Sequence, residues 1–149
     1  MKKFEFSLQR ILDYDTFLQD RETETLNIMK SEYNKVELAM KQMRKKLADS
    51  IEEYQQLCAK GVQAKKAALA MLIIEAQKRL IKEYEHELAD RQKKIEKQVE
   101  KLVSITQDKL TVEKLRDSSY ASYSEEMRKS EEMLIEEYVA GEAARSEGT

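Results

Sequence analysis

The residues able to do chemistry are few and lie far apart in the chain. One histidine, His86, stands between Glu85 and Glu87. A metal centre or proton relay built on imidazole needs a second ligand set closing on the same point. The chain has no second histidine, so His86 reads as an exposed helical side chain. Glu52-Glu53 and Glu131-Glu132 are adjacent carboxylates, but on solvated helices without a pocket nothing shifts their acidity toward general acid or base work. Gly61-Val62-Gln63-Ala64-Lys65-Lys66 has the loose outline of a phosphate loop, yet lacks the second glycine and the Ser or Thr that would reach a metal. Lys41, Arg44, Lys45 and Lys46 can touch phosphate, although Glu37, Asp49 and Glu52 beside them favour a solvated face. Cys58, next to a lysine-bearing turn, is either a reactive thiol or an inert small apolar residue. These residues imply no enzyme, no metal and no cofactor.

Spacing carries far more information than residue chemistry. From Ile74 to Ile105, every third then fourth residue gives Ile74, Gln77, Ile81, Tyr84, Leu88, Arg91, Ile95, Gln98, Leu102 and Ile105. That is the seam of a coiled coil. Lys, Arg, Glu and Gln fill most of the places between, as in Lys93, Lys94, Glu96 and Lys97; they form helix readily and stay in water. One narrow stripe is therefore apolar and needs a partner helix to cover it.

The partner is upstream. Phe4, Leu8, Ile11, Asp15, Leu18, Glu22 and Thr25 follow a 3-4 spacing whose later places turn polar. The apolar signal returns as Met29, Tyr33, Val36, Met40, Met43, Leu47, Ile51, Tyr54 and Leu57, with the spacing lengthened by one at Ile51. The first helix starts near Phe4 or Ser7, Ser7 being the available N-cap. Between Cys58 and Lys66 the pattern breaks, and Gly61 can adopt the left-handed conformation that ends a helix. Two seams joined by a short turn must pair antiparallel. The expected fold is all-α: a single coiled-coil domain of two long helices in an antiparallel hairpin, residues 4–58 and 67–140, with the turn at 59–66 and a disordered tail at 141–149. At about 1.5 Å per residue the helices span roughly 80 and 110 Å, so the second overhangs the first.

Composition agrees. The 149 residues are 38% charged and 41% hydrophobic, with no Pro, no Trp and three Gly, so little interrupts a helix. The net charge of −2 gives no electrostatic case for nucleic acid. A lone cysteine gives none for an oxidising compartment. Glu5, Gln9 and Arg10 interrupt any signal-peptide core. The apolar run from Ala67 to Ile74 is well short of the roughly 20 residues of a membrane span. A cytoplasmic protein without a transmembrane segment is the expectation.

Two features admit two readings each. From Tyr120 to Thr149 eight acids stand against three bases, a local charge of −5, around a sparse apolar set of Met127, Met133, Leu134 and Tyr138. This is a frayed acidic tail or a segment that completes its packing on a partner. Asp15, Glu22, Gln77, Arg91 and Gln98 occupy seam places where aliphatic residues would be more stabilising. They control register, or they keep the pair only marginally stable and able to open.

The opening Lys3-Phe4-Glu5-Phe6-Ser7-Leu8-Gln9-Arg10-Ile11-Leu12-Asp13-Tyr14 resembles the F-x-F-x-L-Q-x-(I/L)-L-D-Y start of the FliJ family of flagellar export proteins. Glu113-Lys114-Leu115 and Glu131-Glu132-Met133-Leu134-Ile135-Glu136-Glu137 look like that family's E-K-L and E-Q-K-x-(L/I)-D-E blocks, with Met133 in place of the usual Lys and Glu136 in place of Asp. The likeness spans essentially the whole chain. It implies a soluble, non-enzymatic component of the flagellar type III export apparatus, shaped like the central stalk of rotary ATP synthases. Such proteins promote ring formation by the hexameric export ATPase, bind the membrane export gate protein and interact with export chaperones. They sit in the cytoplasm, peripherally associated with the cell membrane. The resemblance points to Gln9, Arg10, Asp13, Tyr14 and Arg128 as ATPase contacts. The face near the turn, including Ile73, Gln77, Leu80 and Tyr84, is the expected gate contact, because it keeps apolar side chains on more than one side of the helix, beyond what a single partner helix can cover. The alternative is a passive structural coiled coil, a spacer or tether, which has no use for Phe4, Phe6, Gln9, Arg10 and Tyr14 on several faces of one helix end.

Overall fold

The computed structural model describes residues 2–148. It contains two helices, α1 (Gln9–Lys60) and α2 (Ala64–Glu147), packed against each other as an antiparallel hairpin. The chain divides into two compact units, each taking a part of both helices. Unit 1 comprises Met1–Asp20 and Val103–Thr149, and unit 2 is Arg21–Leu102.

The turn in unit 2 is shorter than the spacing predicts. Helix α1 continues to Lys60 and α2 resumes at Ala64, so residues 61–63 suffice where 59–66 were expected. Gly61 takes φ +74° with open space around its Cα, so it is required for its backbone conformation alone. Its N–H lies 3.4 Å from the Cys58 carbonyl. The Gln63 carbonyl then accepts from the N–H groups of Lys66 and Ala67, at 3.0 and 3.2 Å, and starts α2.

In unit 2 the seam of α2 lies where its spacing puts it. Ile74, only 3% exposed, and Ile81, Leu88 and Ile95 are buried. Met40 packs with Ile81 and Leu88, and Tyr33, Val36, Met43, Leu47 and Tyr84 close around them. Pairs along the unit fix the helix directions: Glu22 meets Gln98, Glu32 meets Arg91 and Arg44 meets Glu85. Position numbers rise in one helix as they fall in the other.

The seam of α1 differs from its expected line before Met29. Leu12 and Leu26 are buried at 8% exposure, while Ile11 is 48% exposed. The unbroken 3-4 alternation is Leu8, Leu12, Asp15, Gln19, Glu22, Leu26, Met29 and Tyr33. Placing Thr25 on the seam leaves two successive steps of four before Tyr33, which rotates the upstream stripe off the contact. Gln19 also faces α2, donating to Thr106 Oγ1 at 3.1 Å and accepting from Lys109 Nζ at 2.9 Å within unit 1, while Leu18 beside it is half-buried.

Helix α1 starts at Gln9, not near Phe4. Residues 2–8 form no helix, and the Leu8 carbonyl, one residue past Ser7, accepts the Leu12 N–H at 3.0 Å. At the other end, α2 runs through Gly141 to Glu147, where a disordered tail over 141–149 was expected; Thr149 lies outside the described residues. Alanine, glutamate and arginine over 140–147 favour helix, and one glycine costs only about 1 kcal/mol against alanine. Tyr138 Oη donates to Glu142 at 3.0 Å, and the Gly148 N–H donates to the Ala144 carbonyl at 3.2 Å.

Two substitutions test this packing by urea unfolding. Leu88→Asp should cost about 3–5 kcal/mol, because a carboxylate replaces a buried aliphatic side chain. Lys94→Asp, on the exposed side, should change little, and equal losses from both would move the seam elsewhere. Gln77 carries a buried Oε1 without a hydrogen-bond donor. Gln77→Leu should therefore stabilise by about 1 kcal/mol, and a loss of that size would mean the oxygen is partnered.

Candidate interaction surfaces

Among the described residues no group of three or more His, Cys, Asp and Glu is placed to hold a metal ion. An open groove in unit 1 is lined by Lys2, Phe4, Ser118, Ser122, Tyr123 and Glu126. The features to be placed are the exposed surfaces and one buried polar layer between the helices.

That layer is in unit 2. Gln98 Nε2 donates to Glu22 Oε2 at 2.6 Å and to the Glu22 backbone carbonyl at 3.1 Å, both side chains being buried. Lys101 Nζ reaches the other carboxylate oxygen, Oε1, at 3.1 Å. The Gln98 hydrogen bond first, and Lys101 second, hold the Glu22 carboxyl below its ordinary range. Arg91 is also a seam residue, half-buried, and carries its guanidinium out to Glu87 in its own helix and Glu32 in α1, each at 3.0 Å. Those carboxylates, Glu87 foremost, raise its already high pKa.

In unit 1 the segment before α1 lies along α2. The Phe4 ring meets Tyr120 edge-on at 5.2 Å and Tyr123 at 5.4 Å, and Tyr123 Oη donates to the Lys2 carbonyl at 2.7 Å. Spacing places Tyr123 with Ser119 and Ser122 on the fading stripe after Leu115 and passes over Tyr120. The signal that could have found Tyr120 is aromatic pairing in an antiparallel register with Phe4.

Of the five expected ATPase contacts, four share the start of α1. Gln9 is half-buried and donates to Asp13 Oδ1 at 2.9 Å. Arg10 and Tyr14 are exposed, the latter at 60%. Phe17, equally exposed and not anticipated, extends the line at i, i+4 and i+7 from Arg10. Arg128 stands apart, tied to Glu125 at 2.7 Å and to Glu132 in its own helix. These acids, Glu125 foremost, raise its pKa, and the Arg128 guanidinium in turn holds the Glu125 carboxyl below its ordinary range.

The expected gate contacts form one stripe of unit 2 at 4-3-4 spacing along the seam's edge. Ile73 is exposed; Leu80 is half-buried. Gln77 and Tyr84 are partly covered, Tyr84 against the Met40 cluster. The most exposed apolar residues nearby, Leu69 and Leu72, lie outside that stripe.

Comparison with protein-family models, curated proteins and solved structures finds no match.

The Glu22 layer predicts a pH dependence. A carboxyl whose pKa is lowered by folding contributes stability that is full above its unfolded value, near 4.5, and is lost as pH falls through the lower folded value. The stability difference between the wild type and Glu22→Gln, followed by urea midpoints, should be constant from pH 7 to 5.5 and shrink below 4.5. A difference independent of pH would mean the carboxylate form is not what Gln98 and Lys101 hold.

Proposed function

We propose that this chain is a non-enzymatic, stalk-like component of a flagellar type III protein export apparatus, promoting ring assembly by the export ATPase and coupling it to the membrane export gate, with export chaperones as further partners. The observation that carries the reading is the start of α1. The side chains there and just before it split between the two needs of such a stalk: Phe4, ahead of the helix, and Leu12 are spent on packing, whereas Arg10, Tyr14 and Phe17 are displayed to solvent. Arg and aromatic residues are the side chains that most often dominate protein interfaces. The antiparallel helix pair and the resemblance of residues 3–14 to the FliJ family support the same reading. Cytoplasmic placement with peripheral membrane association belongs to it; no helix among the described residues is long and apolar enough to cross a membrane.

Unit 1 would supply the ATPase contact through Gln9, Arg10, Asp13, Tyr14 and Arg128, with Phe17 added. Arg128 would exchange Glu125 and Glu132 for acids of the partner. Unit 2 would supply the gate contact through Ile73, Gln77, Leu80 and Tyr84.

The test titrates the purified chain into a flagellar export ATPase, following hydrolysis and ring formation, and measures capture by the gate protein separately. Arg10→Glu with Arg128→Glu should lower ATPase stimulation by about tenfold or more and leave gate capture intact, as for lost interface anchors. Leu80→Glu should do the reverse. A chain that stimulates no ATPase and captures no gate protein would be a passive spacer.

A further inference from the structure

The beginning of α2 carries more apolar surface than α1 can cover. From Ala67 to Ile74 every residue is Ala, Leu, Met or Ile. The seam side of this run goes to α1 through Ile74, with Ala67 and Ala70 half-buried. Leu69 and Leu72 remain 61% and 64% exposed, and Ile73 beside them is exposed as well. A helix that is apolar on several sides needs a cover besides its partner helix.

The charge around this patch is of one sign. Between Tyr54 and Ile74 the chain has no Asp or Glu, and it has Lys60, Lys65 and Lys66. All three are exposed, and none forms a salt bridge with a described residue. Elsewhere in unit 2 lysines and arginines do find acids, as in Lys41–Glu37, Lys78–Glu75 and Arg91–Glu32. Lys65, Leu69 and Leu72 follow at i, i+4 and i+7, so the cation and the two leucines lie on one stripe.

We propose that this end of unit 2 docks on an anionic lipid surface, the three lysines meeting headgroup phosphates and Leu69 and Leu72 entering the boundary of the acyl chains. The residue types favour lipid over a protein partner. Protein interfaces are enriched in aromatic residues and Arg and depleted in Lys, and residues 55–78 contain no aromatic residue and no Arg. Lysine with unbranched contact to aliphatic side chains is the chemistry of interfacial helices, which need no matched geometry. The apolar run is too short to span a bilayer, so it lies on the surface. This contact is separate from the protein contacts proposed above and stands whether or not they do.

Flotation of the full chain with vesicles tests it. The chain should float with phosphatidylcholine vesicles containing one-third phosphatidylglycerol at low salt, be released by high salt and ignore phosphatidylcholine alone. Lys60→Gln with Lys65→Gln and Lys66→Gln should weaken binding on the order of a hundredfold, at about fivefold per lysine. Leu69→Gln with Leu72→Gln should weaken it by about tenfold or more for each leucine. All five side chains are exposed, so circular dichroism and thermal melts of the variants should match the wild type. The lysine variant should also stimulate an export ATPase as the wild type does, which separates this inference from the preceding one. A polarity-sensitive dye on Cys58, the single cysteine and an exposed one, should shift to the blue on the anionic vesicles. No flotation, equal flotation with both vesicles, binding that survives the lysine changes, or an unshifted dye on bound protein would overturn the proposal. So would capture by an acidic peptide in place of vesicles, which would make the face a protein site.

Discussion

Everything in this protein depends on one constraint: the helices pair along a narrow apolar seam, and only the other helix can take that seam out of water. Burial is correspondingly thin. Eight apolar side chains qualify as core, and none of the described residues is completely enclosed. The hydrophobic contribution therefore comes as many partial burials along a line, of which the cluster around Met40, Ile81 and Leu88 is one stretch. Neighbouring segments can differ in how well they are held. The last turns of α2 show one extreme, with Met133, Leu134, Ile135, Tyr138 and Val139 all exposed and local pairs such as Tyr138–Glu142 supporting the helix.

A stripe of aliphatic residues alone specifies register poorly, because sliding by a heptad replaces one leucine with another. The polar seam residues answer that weakness unequally. Glu22, Gln98 and Lys101 form a closed set, and a slip by one heptad toward the end of α2 would put Ile105 and Asp108 in the places of Gln98 and Lys101 and leave the Glu22 carboxylate without donors. Arg91 solves its problem by reaching past the edge to Glu32 and Glu87. Gln77 is the exception, since its buried oxygen gains no bond. Its cost falls near the turn, where the chain connection itself limits slippage.

The seam leaves much of each helix exposed. Three such surfaces differ in chemistry: the Arg10, Tyr14 and Phe17 line in unit 1, the acidic last turns of α2, and the lysine and leucine face beside Gly61 in unit 2. Each matches a different class of partner, because charge sign and aromatic content set which surfaces approach and which anchor. The proposed role as a stalk and the proposed lipid contact draw on different members of this set.

The hairpin, the seam of α2 and the position of the turn were legible in the sequence by itself, because a period of 3.5 residues and an isolated glycine are local signals that survive without a partner. So was the presence of polar residues at Glu22 and Gln98, although not their pairing. The line of α1 before Met29 was not, since Ile11 and Leu12, or Thr25 and Leu26, offer neighbouring places for one stripe, and the choice is made by what α2 presents opposite. The same holds for Phe4 against Tyr120 and Tyr123, which are more than a hundred residues apart in the chain. Tertiary structure decided these because a rotation of about 100° per residue separates one candidate from the next, and only contact with the second helix distinguishes a side chain that is covered from its neighbour that is not.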